Sequence, residues 1–222
     1  MGKLIVFEGT DGTGKSTQLA LLAKRLQQQG IDFRKLQFPQ YLEPSSALIR
    51  MYLNGEFGSN PSDVNAYAAS TFYAVDRFAS YQRVWKDYYS QGGLMLSDRY
   101  TTSNAVHQGG KVPDAERTAF FAWLYDFEYV RMGLPKPDLV ICLDLEVELA
   151  EQLMRHREQK LGTQPDIHEK DLQYLRRCRQ VAREAADYFG WSVIPCEKGG
   201  VLRPVEEIHE EIYELVRMCL EG

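Results

Sequence analysis

The segment GTDGTGKSTQ, residues 9–18, restricts the possible folds of this chain more than any other part of its sequence. It follows KLIVFE, a β-branched and aromatic run typical of a buried strand. It opens KSTQLALLAKRLQQQG, in which apolar residues recur at helical spacing until Gly30. A strand, a glycine-rich loop and a helix in this order are typical of a site that binds phosphate at a helix N-terminus.

Gly9, four further residues, and then Gly14, Lys15 and Ser16 match the Walker A form. In that form backbone N–H groups wrap the phosphates of a nucleoside triphosphate, the lysine reaches the β and γ phosphates, and the serine hydroxyl binds Mg2+. A glycine-rich turn without a ligand is the alternative, and the flanking strand and helix disfavour it. The predicted triphosphate-binding residues are Gly9, Thr10, Asp11, Gly12, Thr13, Gly14, Lys15, Ser16 and Thr17.

Four further apolar runs predict strands that end at Phe38, Asp98, Leu145 and Pro195. Helical patterns separate them, at about 45–54, 63–90, 114–132, 146–157, 166–188 and 204–220. This alternation predicts an α/β P-loop NTPase fold, with a five-stranded parallel sheet flanked by helices. A length of 222 residues with 44% apolar residues suits a single domain over 1–222, and the polar stretch between two charged helices predicts a lid insertion at about 155–168.

Charge and composition exclude several kinds of partner. The net charge is −5 and lysine and arginine form no block, which argues against a nucleic-acid groove or an anionic membrane surface. The N-terminal apolar run is too short for a signal peptide and no run is long enough to cross a membrane. The four cysteines have no CxxC or zinc spacing, so we expect a reducing, cytoplasmic location and Mg2+ as the metal.

Further polar residues follow the predicted strands, in FPQY and SDRYTTSNAVHQ, and TFYAVDR places Tyr73 and Arg77 on one helix face. Each has a structural alternative: an aromatic packed in the core, an arginine at the surface, or Asp98 as a helix cap. Together an aromatic ring, an arginine and a strand-end carboxylate suit a planar base that carries a phosphate. A phosphate acceptor is already anionic and needs no general base, so we expect cations such as Lys15 and Arg99 to offset the repulsion between donor and acceptor.

With these motifs the sequence resembles the thymidylate kinases, nucleoside monophosphate kinases with a lid that use ATP to convert dTMP to dTDP. The resemblance covers nearly the whole chain, through FEGTDGTGKSTQ, FPQY, TFYAVDR, DRYTTSNAVHQ, GLPKPDLVICLDL and DIHEKD. It is closest to the bacterial type, with a glycine in the P-loop and basic residues in the lid. The family is often dimeric, and aromatic-rich faces in AYAASTFYAVDRF and RTAFFAWLYDFEYV also predict a homodimer.

The resemblance implies roles on the acceptor side, residue by residue. Asp11 would receive the sugar 3′-hydroxyl and Tyr73 would stack on thymine. Arg77 would reach the thymine O4 and Asn104 the base N3, while Phe38, beside the base, would precede a cis peptide bond. The implied acceptor set is Asp11, Phe38, Tyr41, Tyr73, Arg77, Arg99, Ser103, Asn104, His107 and Gln108.

On the phosphate side, the resemblance implies that Arg99 and Tyr41 hold the acceptor phosphate. Ser16 and Asp98 would be the residues at Mg2+, Asp98 through water. Where relatives have an arginine in FPQY this chain has Gln40, so Arg50 or a lid residue would compensate. Because Gly12 of the P-loop has no side chain, the resemblance implies that the arginines bridging the donor and acceptor phosphates come from the lid. The implied catalytic set is Lys15, Asp98, Arg99, Arg155 and Arg157.

Two other functions remain open at this point. One is a kinase for another deoxynucleotide or for a deoxynucleoside, in which Asp98 would act as the base for a hydroxyl acceptor. The other is a P-loop switch protein that hydrolyses nucleotide slowly and signals by conformation, although the chain lacks an NKxD motif for reading guanine.

Overall fold

The computed structural model describes residues 1–161 and 172–221, and for 156–161 it describes the backbone alone. Five strands form its central sheet. They lie in the order β2, β3, β1, β4, β5 and are parallel throughout. Their bounds are β1 Lys3–Glu8, β2 Phe33–Gln37, β3 Leu94–Asp98, β4 Leu139–Asp144 and β5 Ser192–Pro195. The predicted parallel sheet is confirmed, and each strand ends within one residue of its predicted end.

Helices cover both faces of this sheet. Their bounds are α1 Lys15–Gln28, α2 Ala47–Leu53, α3 Ala66–Ser80, α4 Lys86–Ser90, α5 Thr101–Ser103, α6 Arg117–Tyr125, α7 Val147–Leu161, α8 Leu172–Phe189 and α9 Val205–Glu221. A small antiparallel hairpin pairs β6 Glu197–Lys198 with β7 Val201–Leu202. The sequence prediction lacks this hairpin because strands of two residues carry no periodic signal.

The largest departures from the predicted helices are three π-helical turns, Tyr81–Trp85, Asn104–Gln108 and Asp126–Arg131. The first divides the predicted helix 63–90 into α3 and α4, and the third follows α6 within the predicted helix 114–132. The second belongs to a helical segment after β3 that the sequence prediction leaves irregular. A π turn breaks the 3.6-residue period on which the prediction depends, and such turns are frequent at functional sites.

The central strand, β1, is buried on both faces, and Leu4, Ile5, Val6 and Phe7 are each 0% exposed. Successive side chains of a strand point to opposite faces. Ile5 and Phe7 therefore join the core formed with α1 and α9, whereas Leu4 and Val6 join the opposite core, which contains Trp85. This double burial explains the continuous apolar run LIVF.

The carboxyl ends of β1, β2 and β3 meet at one edge of the sheet. The backbone N–H of Phe38 donates to the Asp98 carbonyl at 3.0 Å, and that of Arg99 donates to the Phe7 carbonyl, also at 3.0 Å. The Phe38–Pro39 peptide bond is cis, as the resemblance implies. None of the described helices is long and apolar enough to cross a membrane.

Candidate active site

The loop between β1 and α1 is closed around the side chain of Lys15. Lys15 Nζ donates hydrogen bonds to the carbonyl oxygens of Gly9, at 2.8 Å, and Thr10, at 2.9 Å. Gly9 has a φ of 139°, and a Cβ atom there would lie 2.6 Å from the Leu143 carbonyl oxygen, so only glycine fits. Strand and loop thus hold the ammonium group in place before any phosphate binds.

Burial and neighbouring charges both act on the Lys15 ammonium group. Burial lowers its pKa below the usual lysine value, and the nearby guanidinium of Arg99 lowers it further. The carboxylates of Asp11, Glu8 and Asp98 oppose this effect. An additional anion such as a triphosphate would further favour the charged form of Lys15.

Gly12 marks the contact between the P-loop and α7. Its φ is 82°, and a Cβ atom there would lie 2.4 Å from the Ala150 carbonyl oxygen and 2.9 Å from Met154 Cγ. Helix α7 thus occupies the space that a P-loop side chain would need. This packing explains why a residue without a side chain is needed at this position.

A cavity of about 740 Å3 lies over the P-loop and the end of β3. The wall is formed by the P-loop, the strand ends and α7, through Asp11, Gly12, Gly14, Lys15, Ser16, Thr17, Gln37, Phe38, Pro39, Tyr41, Asp98, Arg99, Leu153 and Met154. Six of the nine predicted triphosphate-binding residues line it. Of the other three, Gly9 and Thr10 supply the carbonyls that bind Lys15, and Thr13 donates its hydroxyl hydrogen bond to the Thr10 carbonyl at 2.9 Å.

Ser16 and Asp98 place two oxygens together in this cavity. The Ser16 hydroxyl donates to Asp98 Oδ2 at 3.3 Å. Mg2+ prefers oxygen ligands and usually binds through one or two protein groups together with substrate phosphates. A hydroxyl and a carboxylate next to the P-loop fit this requirement. Within the described residues, no group of three or more His, Cys, Asp or Glu side chains could hold a metal.

Arg99 connects the P-loop to the segment after β3. Its guanidinium donates to Asp11 Oδ1 at 2.7 Å, to Glu8 Oε1 at 3.4 Å and to Ser103 Oγ at 3.2 Å. It also approaches His107 Nε2 at 3.1 Å, and because arginine can only donate, this ring nitrogen is the acceptor. The backbone φ of Arg99 is 66°, an unusual value for a residue with a side chain, and such values are concentrated at functional sites.

Opposite charges in this cluster stabilise each other's ionised forms. Burial would raise the pKa of Asp11, but Arg99 and Lys15 lower it below the usual aspartate value. Burial acts against the charge of Arg99, but Asp11 and Glu8 raise the pKa of its guanidinium. Glu8 is 0% exposed and also accepts from the hydroxyls of Thr102 and Ser103, each at 2.6 Å. Asp11 and Arg99 are therefore both charged at neutral pH.

A second cavity, of about 160 Å3, adjoins the first. All ten predicted acceptor residues line it, namely Asp11, Phe38, Tyr41, Tyr73, Arg77, Arg99, Ser103, Asn104, His107 and Gln108. The two cavities share Asp11, Phe38, Pro39, Tyr41 and Arg99. Residues spread over the first half of the sequence thus form one pocket beside the P-loop.

Glu128, which sequence reasoning missed, lies behind this pocket. It is 0% exposed and accepts from Arg77 Nε at 2.7 Å and Arg77 Nη2 at 2.5 Å. It also accepts from Thr101 Oγ1 at 2.7 Å and Asn104 Nδ2 at 3.1 Å. The available signal was the pair of carboxylates, Asp126 and Glu128, among the aromatic residues of FAWLYDFEYV, since a charge on an apolar helix face is rarely buried without a partner. The sequence does not distinguish which of the two is buried.

The structure gives Gln40 and Arg50 local roles. The backbone N–H of Gln40 donates to Asp76 Oδ2 at 2.8 Å, and its side chain donates to Ser80 Oγ at 2.9 Å. Arg50 Nη1 donates to the Tyr41 carbonyl at 2.6 Å and to Ser46 Oγ at 2.6 Å. Both residues hold the loop after β2, and the expectation that Arg50 replaces a phosphate-binding arginine gains no support.

The predicted lid arginines both lie on α7. Arg155 is 70% exposed and donates to Glu151 Oε1 at 2.6 Å, so in this structure it forms a helix-surface ion pair. Arg157 belongs to the same helix, but its side chain is outside the described atoms. α7 continues to Leu161, which makes the first part of the predicted lid helical; residues 162–168 lie outside the described residues.

Comparison with known proteins places this site in a family. The family model described as thymidylate kinase matches residues 7–212. This chain belongs to the thymidylate kinase family.

Its relatives include the thymidylate kinases of Mycobacterium tuberculosis and Halothermothrix orenii. The first is 33% identical over 85% of this chain and 87% of the relative, and the second is 30% identical over 99% and 98%. The fold also resembles the solved thymidylate kinase of Candida albicans, with a TM-score of 0.70 and 22% identity over 98% of this chain and 92% of that one. The predicted family and the P-loop kinase fold are thus confirmed.

Proposed function

We propose that this member of the thymidylate kinase family transfers the γ-phosphoryl group of ATP to dTMP, producing ADP and dTDP. The observation that carries the proposal is the ion pair between Asp11 and Arg99, at 2.7 Å, in the wall shared by the two cavities. The larger cavity contains the P-loop and would hold ATP. The smaller one contains the aromatic and amide side chains suited to a nucleotide base.

The reaction needs charge control more than acid–base chemistry. An oxygen of the acceptor phosphate forms a bond to the γ phosphorus as the bond between that phosphorus and the leaving ADP oxygen breaks. No proton has to be removed, because the acceptor oxygen is already anionic. Lys15, Arg99 and a lid arginine, Arg155 or Arg157, would offset the repulsion between the two polyanions.

Recognition of dTMP would divide between its base, sugar and phosphate. Tyr73 would stack on the thymine ring while Arg77 and Asn104 bind its edge. Asp11 would accept a hydrogen bond from the 3′-hydroxyl, and Arg99 with Tyr41 would bind the phosphate. In support, the side chains of all these residues line one cavity.

Mg2+ would be held by Ser16 directly and by Asp98 through water. When bound to the phosphates of ATP, the ion supplies positive charge where negative charge develops. A cytoplasmic location stays a prediction, with the free cysteines Cys142, Cys178 and Cys196, all buried, in agreement with a reducing compartment.

We further propose that 1–222 forms one domain and that two copies associate through α3 and the turn after α6. Val75 is 50% exposed and Phe78, one turn away on α3, is 37% exposed. Val130, in the π turn after α6, is 63% exposed. Exposed apolar residues on adjacent helices are typical of an interface. Sedimentation of the wild type and of Val75→Glu would test the dimer, and equal masses for the two would contradict it.

An acceptor panel tests the proposed activity against its alternatives. ADP formation is measured with ATP and Mg2+ in the presence of dTMP, dUMP, dCMP, thymidine or no acceptor. The proposal requires the highest kcat/KM with dTMP. Phosphorylation of thymidine alone would indicate a nucleoside kinase, and ADP formation unaffected by any acceptor would indicate a switch protein.

The acceptor site itself is tested by Arg77→Ala. If the smaller cavity binds the base, this variant should lose kcat/KM for dTMP while its KM for ATP stays near the wild-type value. A change confined to the KM for ATP would show that Arg77 acts on ATP binding and that its assignment to dTMP is wrong.

A further inference from the structure

Glu128 is a buried carboxylate whose bonds determine how two residues of the smaller cavity present their polar atoms. Each of its oxygens accepts two hydrogen bonds: Oε1 from Arg77 Nη2 and Asn104 Nδ2, and Oε2 from Arg77 Nε and Thr101 Oγ1. Arg77 is 1% exposed and Asn104 is 2% exposed, so solvent cannot replace these bonds. The carboxylate thus holds both side chains from behind the cavity wall.

The orientation of the Asn104 amide follows from its partners. Asn104 Nδ2 donates to Glu128 Oε1 and to the Ser70 carbonyl oxygen, both at 3.1 Å. A carboxylate and a carbonyl can only accept, so the amide nitrogen must face them and both of its N–H groups are used. The group left to bind a ligand in the cavity is Oδ1, which is an acceptor.

Arg77 presents the opposite character. Its Nε and Nη2 donate to Glu128, and its Nη1 donates to the Tyr100 carbonyl at 3.3 Å. These bonds use three of the five N–H groups of a guanidinium, and the other two can only donate. The cavity wall therefore offers donors from Arg77 and an acceptor from Asn104.

This pattern matches a pyrimidine whose edge has a carbonyl acceptor next to an N–H donor, as thymine has at O4 and N3. Cytosine has the reverse pattern, an amino donor beside an unprotonated ring nitrogen, and would place like groups together. A site built to form hydrogen bonds discriminates strongly against a ligand that cannot form them.

We propose that Glu128 is a positioning residue that sets the choice of thymine over cytosine, by fixing Arg77 and Asn104 through donors that face away from the cavity. The inference rests on the proposed function, since it assumes that the smaller cavity binds the acceptor base. It adds a determinant of base selectivity that does not itself touch the substrate.

The test is the ratio of kcat/KM for dTMP to kcat/KM for dCMP in the full-length Glu128→Gln variant. A glutamine side chain has one acceptor oxygen and a donating amide, so it cannot accept all four bonds, and Asn104 becomes able to turn Nδ2 toward the cavity. The ratio should fall at least tenfold, with the KM for ATP unchanged. A merely structural defect would lower both kcat/KM values together and leave the ratio intact.

Glu184→Gln is the matched control. Glu184 is the carboxylate partner of another buried arginine, Arg117, outside the cavity wall. This variant should keep the wild-type ratio. If the wild type fails to phosphorylate dTMP, the proposed function itself is wrong; if it prefers dTMP and Glu128→Gln keeps the ratio within twofold, only the role of Glu128 is wrong.

A measurement on the wild type decides the matter if Glu128→Gln does not fold. The chain has four asparagines, so the side-chain amide of Asn104 can be assigned by NMR from asparagine-labelled protein and the Asn104→Asp variant. Both Nδ2 protons should be protected from solvent exchange before nucleotide is added and should remain so with dTMP bound. Rapid exchange in the free protein would overturn the proposal, because the amide would then not be fixed in advance.

Discussion

Replacing Lys15 by Met removes a cation from the P-loop and leaves a side chain of similar length. Lys15 Nζ is held 2.8 Å and 2.9 Å from two loop carbonyls, so the charge is positioned before ATP binds and needs no reorganisation during the reaction. Loss of one such preorganised group costs about 2.7–4 kcal/mol of transition-state stabilisation, or about 10²–10³ in kcat. We expect kcat to fall by about 10³, the upper end of this range.

The stability of Lys15→Met should change much less than its activity. The variant loses two hydrogen bonds from a charged donor, each worth about 1.5–3 kcal/mol. The variant also avoids the desolvation cost of burying an ammonium group, since Lys15 is only 7% exposed, and this gain offsets much of the energy of the two lost hydrogen bonds. We expect the free energy of unfolding to change by less than about 2 kcal/mol.

The assay is ADP release at saturating ATP and dTMP, with calorimetric unfolding of the same preparations. Lys111→Met is the matched control, because Lys111 also donates two hydrogen bonds to oxygens, those of Tyr52 and Val64, but lies outside the P-loop. It should keep kcat within about threefold of the wild type. A folded Lys15→Met protein with kcat within threefold of the wild type would refute the role given to Lys15.

Three further predictions follow from the charges. Ser16→Ala should raise the Mg2+ concentration for half-maximal activity at least fivefold, whereas an unchanged Mg2+ titration would exclude the Ser16 and Asp98 site. Burial lowers the pKa of Lys111 from 10.5 to about 7, so between these pH values the unfolded chain binds more protons and stability should rise with pH. In urea unfolding at several pH values from 7 to 10, the stability of the wild type relative to Lys111→Met should rise with pH, by at most about 1.4 kcal/mol per pH unit, and equal slopes for the two proteins would contradict the prediction. Arg155→Ala should cost less than about 1 kcal/mol of stability, because its pair with Glu151 is exposed. At least one of Arg155→Ala and Arg157→Ala should lower kcat at least tenfold, and an unchanged kcat in both variants would contradict the bridging role of the lid arginines.

The sequence predicts the site better than it predicts the bonds within it. Eight of the ten predicted acceptor residues reach one cavity because they follow strands whose carboxyl ends must meet at one edge of a parallel sheet, and α3 brings Tyr73 and Arg77 to the same cavity. The family resemblance predicts a missing cation at Gln40 and Arg50 as one possible replacement, whereas the bonds of these residues to Asp76, Ser80 and the Tyr41 carbonyl depend on how the loop after β2 packs on α3. Nothing local to either residue carries that information.

The sequence was sufficient for the parallel sheet, the P-loop and the family, since strand burial and phosphate binding depend on residues close together in the chain and the family resemblance depends on ordered motifs along it. Only the tertiary structure decides what Gly12 and Glu128 do. Gly12 meets Ala150 on α7, more than 130 residues away, and Glu128 meets Arg77 across 51 residues. Contacts of this kind depend on three-dimensional packing, and no periodicity or local propensity along the chain specifies them.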